Sequence, residues 1–188
     1  MSIVLVGSTS GSITLQEPAV AGTTVLTLPA VTGNVLTDTS PKAGNVIQVV
    51  STSKLDAFTT TSTSPVDVTG LSVNITPTSS SSKILVLAQI YGGGDSSSAF
   101  YVNLVRNSTS LSISTAGSTY NSTMGSYLSS SSLYSTNPVI FLDSPATTSS
   151  TTYKIQIFSS GGTVAVNRRV ADAVVGGTSS ITVMEIAA

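Results

Sequence analysis

From residue 46 onward the chain never sustains a helical apolar period. Short runs rich in Val, Ile, Leu, Thr and aromatic residues stop every few positions at Ser, Thr, Gly or Pro, which is the pattern of strands joined by tight turns. Strands are expected at 46–50, 58–62, 66–69, 71–75, 83–91, 100–105, 111–114, 139–142, 153–158, 163–166 and 180–186. Many short strands at such spacing predict an all-β sandwich. Ser and Thr reinforce this, since together they fill roughly a third of the chain, far above the globular average, and both are poor helix formers. The chain is nevertheless no disordered tail: 40% of it is apolar and its net charge is −1, whereas disorder needs low hydrophobicity or high net charge. A protein that must stay dispersed usually keeps its net charge away from zero, so this balance suits packing into an assembly.

The residue inventory narrows the chemistry. There is no His, no Cys and no Trp, which removes His-dependent nucleophilic systems, thiolate chemistry, disulfides and zinc sites with nitrogen or sulfur ligands. Paired carboxylates of the glycosidase kind are the surviving option. The acids are Glu17, Asp38, Asp56, Asp67, Asp95, Asp143, Asp172 and Glu185, and their spacing offers no local pair. Gly92, Gly93, Gly94 and Asp95 resemble a phosphate loop only in their glycines, lacking the Lys and the helix start; a flexible β-turn is expected there. The basic residues are scattered singly except for Arg168 and Arg169, so no stripe exists to neutralise phosphates and no nucleic-acid partner is expected. The pair at 168 and 169 is read as part of a solvated loop, the other possibility being contact with an acidic neighbour. The apolar run from Ile3 to Val6 is too short for a signal peptide and has no basic residue before it. No run is long enough to span a bilayer. The expectation is a protein made and assembled in a cytoplasm, without membrane insertion, without cofactor or metal, and not an enzyme.

Residues 1–40 carry an internal repeat. PAVAGTTVLT from Pro18 is echoed by PAVTGNVLT from Pro29, each preceded by a Thr-Leu step. The unit is a short strand, a Pro-started turn, a Gly and another short strand. Strands this short bury no core of their own, so Leu15, Val25, Leu28 and Val35 need stacking neighbours or identical chains beside them. This segment is the candidate for attachment and trimerisation. Pro41, Lys42, Ala43 and Gly44 read as a linker, and 44–188 as the sandwich domain.

Two kinds of strand stand out within that domain. ILVLAQI at 84–90 is apolar at nearly every position, so one face needs the opposite sheet and the other a cover from outside the domain. Ile84, Val86, Leu87 and Ile90 are the candidate subunit interface. YKIQIF and SITVMEI alternate instead, Tyr153, Ile155 and Ile157 opposing Lys154, Gln156 and Phe158, and Ile181, Val183 and Glu185 opposing Thr182, Met184 and Ile186. Glu185 shares its face with Ile181 and Val183; a solvent-facing rim is expected, the other possibility being a buried carboxylate paired with Lys83 or Arg106. The stretch at 115–136 mixes Tyr120, Tyr127 and Tyr134 with Ser, Gly and Asn, a composition shared with adaptable binding loops. Tyr rings stack on sugars, which makes these three the candidates for contact with a host-surface glycan; the other reading, preferred on the pattern, has them alternating in and out of one long strand pair, their spacing putting successive ones on opposite faces.

The segment GSTSGSITLQEPAVAGTTVLTLPAVTGNVLT resembles the TLQ-PA-AGT-TLTLPA repeats of tail-fibre and other structural proteins of tailed bacteriophages. The remainder, notably FTTTSTSPVDVTGLSVNITPTSSSSKILVLAQI, VNLVRNST, FLDSPATTSSTTYKIQIFSS and SITVMEI, is similar to the jelly-roll heads that follow such repeats. The resemblance implies a homotrimeric virion protein: a jelly-roll-like β-sandwich behind a short amino-terminal β-repeat, with capsid or tail proteins as partners. The chain is short for a complete tail fibre, which keeps a capsid decoration, or cement, protein as the alternative.

Overall fold

In the computed structural model, residues 2–6, 9–16 and 41–188 are described. The chain divides into two compact units, Met1–Val35 and Leu36–Ala188. In the first, β1 (Ser2–Val6) pairs antiparallel with β2 (Ser12–Gln16), Ser2 opposite Gln16 and Val6 opposite Ser12. Leu15 lies in β2; Val25, Leu28 and Val35 lie outside the described residues.

The second unit is all β. Its strands are β3 (Val46–Lys54), β4 (Phe58–Thr60), β5 (Val66–Ile75), β6 (Lys83–Gly94), β7 (Ser98–Arg106), β8 (Thr109–Leu111), β9 (Met124–Leu128), β10 (Tyr134–Asp143), β11 (Thr151–Ser159), β12 (Val164–Val166) and β13 (Ser179–Ile186). Eight of them build two sheets of four, β3-β13-β6-β10 and β5-β11-β7-β9. Taken in chain order, the first of these eight pairs with the last, the second with the seventh, the third with the sixth and the fourth with the fifth. A hairpin ribbon of four such pairs wrapped into two facing sheets is a jelly roll. The short strands extend it: β12 takes over the edge of β6 beyond β13 and pairs with β4, while β8 extends the edge of β7 beyond β9.

Period-2 alternation makes the core. Ile84, Val86 and Ile90 of β6, Phe100, Val102 and Leu104 of β7, Tyr153, Ile155 and Ile157 of β11, and Ile181 and Val183 of β13 all point between the sheets and are fully buried. Three of the four residues expected at a subunit interface, Ile84, Val86 and Ile90, are therefore core of a single subunit, out of reach of a second copy. Leu87 alone of the four lies on the outer face, half-buried.

Several local expectations are corrected. The glycines at 92–94 form the end of β6, not a turn, because neighbours crowd them. A Cβ on Gly92 would stand 2.5 Å from the Phe100 ring, one on Gly93 2.9 Å from the Arg169 Cα, and one on Gly94 2.9 Å from Leu128. The two runs at 66–69 and 71–75 are one strand, β5, with Gly70 at φ +81° where its register with β11 shifts, a β-bulge that favours glycine. In the Tyr-rich stretch the expected long strand pair is reduced to β9 and the start of β10. Arg169 does not simply solvate a loop: its Nε and Nη2 donate to Asp172 at 2.6 and 2.7 Å. The ends of the sandwich also meet, as the Gly44 amide donates to the Ala187 carbonyl at 2.8 Å and the Ala187 amide to the Asn45 carbonyl at 2.9 Å.

Candidate functional site

The polar side chains of the sandwich are largely occupied in holding it together. Asp143 of β10 accepts both a two-pronged bond from Arg106 Nη1 of β7, at 2.8 and 2.9 Å, and a 2.6 Å bond from the Tyr153 hydroxyl of β11. This cluster ties the two sheets together. Burial, helped by the neighbouring Asp143, pushes the Tyr153 hydroxyl far above its ordinary pKa. Glu185 is fully buried, not on a rim, and its partners are neutral: Gln48 Nε2 donates at 2.6 Å, the Thr78 amide at 2.7 Å and the Thr78 hydroxyl at 2.8 Å. Neither Lys83 nor Arg106 is needed, because three donors satisfy the carboxylate. Burial opposes ionisation there, but the hydrogen bonds, led by that from Gln48, outweigh it and hold the Glu185 carboxyl below its usual range. Asp67 accepts from Lys154 and Gln156, Asp56 from Lys54, and Asp95 from the Thr163 amide. Among the described residues no group of three or more acids could hold a metal ion, and no helix is long and apolar enough to cross a membrane.

Asn167 performs a similar structural task. It sits at φ +65°, a region Asn tolerates better than most residues. Its side-chain amide donates to the carbonyls of Lys54 and Asp56, its side-chain oxygen accepts from Ser179, and its backbone bonds Tyr91 and Gly177. One buried residue thus pins β3, β6 and the segment leading into β13.

The three candidate tyrosines do not converge. Tyr120 stacks on Tyr101 at 5.3 Å, and Tyr101 on Phe158 at 4.8 Å, over the outer face of the β5-β11-β7-β9 sheet. Tyr127 is exposed on β9 opposite Ala99, on that same sheet. Tyr134 belongs to the other sheet and leans on Tyr91 at 4.9 Å.

What remains is a contrast between the two outer faces. The β5-β11-β7-β9 face carries the Asp67, Lys154 and Gln156 network and the Tyr120 stack. The opposite face, on β3-β13-β6-β10, is richer in apolar side chains and, among the described residues, has no element packed over it. Register places Val49, Met184, Leu85 and Leu142 in one cross-strand row and Ser51, Thr182, Leu87 and Ile140 in the next. Val46, Ile186 and Lys83 flank the first row; Ser53, Ser180, Gln89 and Pro138 flank the second. Ile140 is 74% exposed, Val49 54% and Leu142 51%, and Lys83 at one corner is the single charged side chain in these rows. A shallow depression of about 260 Å³ opens between Leu87, Gln89, Pro138, Ile140, Ser180 and Thr182. Sequence reasoning picked out β6 as apolar at nearly every position but not its neighbours on this face, since Ile140 and Leu142 join it only through the long-range pairing of β10 with β6.

No family model matches the chain, and no curated protein matches it either. Solved structures with a similar fold include that of the infectious bursal disease virus Gt strain, with TM-score 0.42 and 14% identity over 98% of this chain and 46% of that one. Another is the infectious bursal disease virus VP2 subviral particle, with TM-score 0.37 and 14% identity over 87% and 42%. The chain spans less than half the length of these structures. The assignment to tailed-phage tail fibres is corrected by them: the matches lie in a virus that is not a bacteriophage and not in a fibre, so the bacteriophage and tail-fibre readings are withdrawn.

Proposed function

We propose that the chain is a non-enzymatic structural component of a virus particle, a homotrimeric jelly-roll block seated in or on the capsid shell, with cementing of the lattice as its role. The observation that carries this is the uncovered, almost uncharged outer face of the β3-β13-β6-β10 sheet. A contiguous apolar patch of this kind marks an interaction surface. Jelly rolls recur as viral capsid domains, lectins and cupins. A cupin centre draws on histidine ligands, which this sequence lacks, and the candidate lectin tyrosines are dispersed over two faces. The acids at 56, 67, 95, 143, 172 and 185 are engaged in internal bonds, which leaves them ill placed for acid-base work. The domain boundaries of this reading are the repeat at 1–40, as attachment segment, and the sandwich at 44–188.

The experiment is fractionation of purified particles with an antibody against the sandwich. The protein is expected in the particle band at many copies, spread over the shell when imaged with a gold label. Its confinement to the soluble fraction of producing cells would end the proposal.

A further inference from the structure

We infer that Tyr91 and Tyr134 are an oxidative coupling site: a one-electron oxidant of the peroxidase class joins an ortho carbon of each ring, giving a dityrosine that ties β6 to β10 within one chain. The site lies inside a single sheet, so it holds whether or not the chain is part of a shell.

Register brings the two rings together. Tyr134 lies opposite Gly93 and Tyr91 opposite Thr136, so the tyrosines are diagonal neighbours on one face of the sheet, a separation that aromatic side chains span. Gly93 puts no side chain between them. The Arg169 backbone fills that place instead, its Cα 2.9 Å from where a Cβ would stand. The ring centroids are 4.9 Å apart, with the planes tilted by 34°. Tyr91 is held: its amide donates to Ser179 Oγ at 3.0 Å, its carbonyl accepts from the Asn167 amide at 2.8 Å, and Gly177 packs against its ring. Tyr134 is 50% exposed, which gives an oxidant access and leaves its ring free to turn through the remaining distance.

The surroundings suit the chemistry. A phenol that loses an electron also releases its proton, and a nearby cation favours that release. The Arg169 guanidinium, fixed on Asp172 at 2.6 and 2.7 Å, is within electrostatic reach of both hydroxyls. It opposes the burial that, with Tyr134 beside it, raises the Tyr91 pKa. Each phenol gives up one electron and one proton, and the two phenoxyl radicals form one bond from carbon to carbon. The hydrogens on the joined carbons then move to the oxygens and restore both rings. Hydrogen peroxide takes up the two electrons and two protons and leaves as two waters. The other close pair, Tyr101 and Tyr120 at 5.3 Å, is less suited: the Tyr120 hydroxyl donates to the Ser160 carbonyl and Tyr101 is also stacked on Phe158, so neither ring is free to turn. The chain has no cysteine, and the coupled pair takes the part of a disulfide, closing a long loop and restricting the unfolded chain.

The full chain is oxidised at low concentration with a peroxidase and hydrogen peroxide, beside Tyr91→Phe, Tyr134→Phe and Tyr120→Phe. Dityrosine fluorescence, denaturing gels and mass spectrometry of proteolytic peptides read the outcome. The parent and Tyr120→Phe are expected to gain the fluorescence while migrating as single chains, with a linked peptide that contains Tyr91 and Tyr134 and is lighter by two hydrogens than its parts. Tyr91→Phe and Tyr134→Phe keep their rings, and with them the packing, but are expected to lose most of the signal. The oxidised parent should melt at a higher temperature than the untreated one, and oxidised Tyr134→Phe should not. Tyr134 is half-exposed, so that variant keeps the test decisive if Tyr91→Phe fails to fold. Denaturing the parent in urea before oxidation should abolish the preference for this pair. A parent without the Tyr91 to Tyr134 link, links between chains only, as through the exposed Tyr127, a signal that survives Tyr134→Phe, or a linked parent that melts no later would each overturn the inference.

Discussion

Glu185 shows how a single side chain can mislead and then inform. On the strand pattern alone it breaks an apolar face, and a rim position was the natural reading. The structure buries it completely and answers it with Gln48 and Thr78, partners 137 and 107 positions away in the chain that no local pattern reveals. Its folded pKa lies below the ordinary value of 4.5, so the unfolded chain binds the proton more readily. The stabilisation is thus fully present above that value and is lost as pH falls through the folded one. The melting temperature of the parent is expected to drop more steeply below pH 4.5 than that of Glu185→Gln, which at neutral pH should itself be less stable by about 1–3 kcal/mol because the Thr78 amide loses a carboxylate acceptor. Parallel pH curves for the two proteins would contradict this. Gly93 makes a second case at the same scale. Backbone atoms of Arg168, Arg169 and Leu133 surround the place of its missing Cβ at 2.9–3.2 Å, so Gly93→Ala should cost about 1–3 kcal/mol through overcrowding, measurable by denaturant melts.

Among the elements, the strands that were legible in the sequence are those with one buried face. β11 was legible because Lys154 and Gln156 alternate with Tyr153, Ile155 and Ile157, and β13 because Ser180 and Thr182 alternate with Ile181 and Val183 before Met184 and Ile186 blur the pattern. β6 was found but misread: its outer positions are apolar as well, which hid the alternation and assigned Ile84, Val86 and Ile90 to the wrong partner. β9 was left without bounds because Gly125 and Ser126 weaken the strand signal that Tyr127 carries, and its place is set by pairing with β7. The division of the chain can also be tested by element. A fragment beginning at Gly44 keeps all eight jelly-roll strands and their core, and it is expected to melt cooperatively on its own. In contrast, β1 and β2 form a two-stranded ribbon with Val4, Leu5 and Val6 exposed, too little to be stable in isolation. A fragment from Gly44 that lacks a cooperative transition would show that the repeat segment is required for folding.

For the whole molecule, what could be read in advance was the class of fold, and what could not was the surface that matters. A sandwich follows from turn spacing and β-branched runs, which are local. The apolar outer face exists only once β10, distant in sequence, lies beside β6. The closeness of Gly44, Asn45 and Ala187 has a different consequence. Because the first and last strands are neighbours and their flanking backbones bond to each other, the order of the strands along the chain can be changed without changing their order in space. Joining Ala188 to Gly44 by a few flexible residues and opening the chain at the exposed Thr148–Ser149 link between β10 and β11 is expected to give a circularly permuted protein with the same sheets and near-native stability, checked by its circular dichroism and melting. By the same geometry the sandwich can be carried as a guest inside a surface loop of another protein, entering and leaving its host at almost a single point.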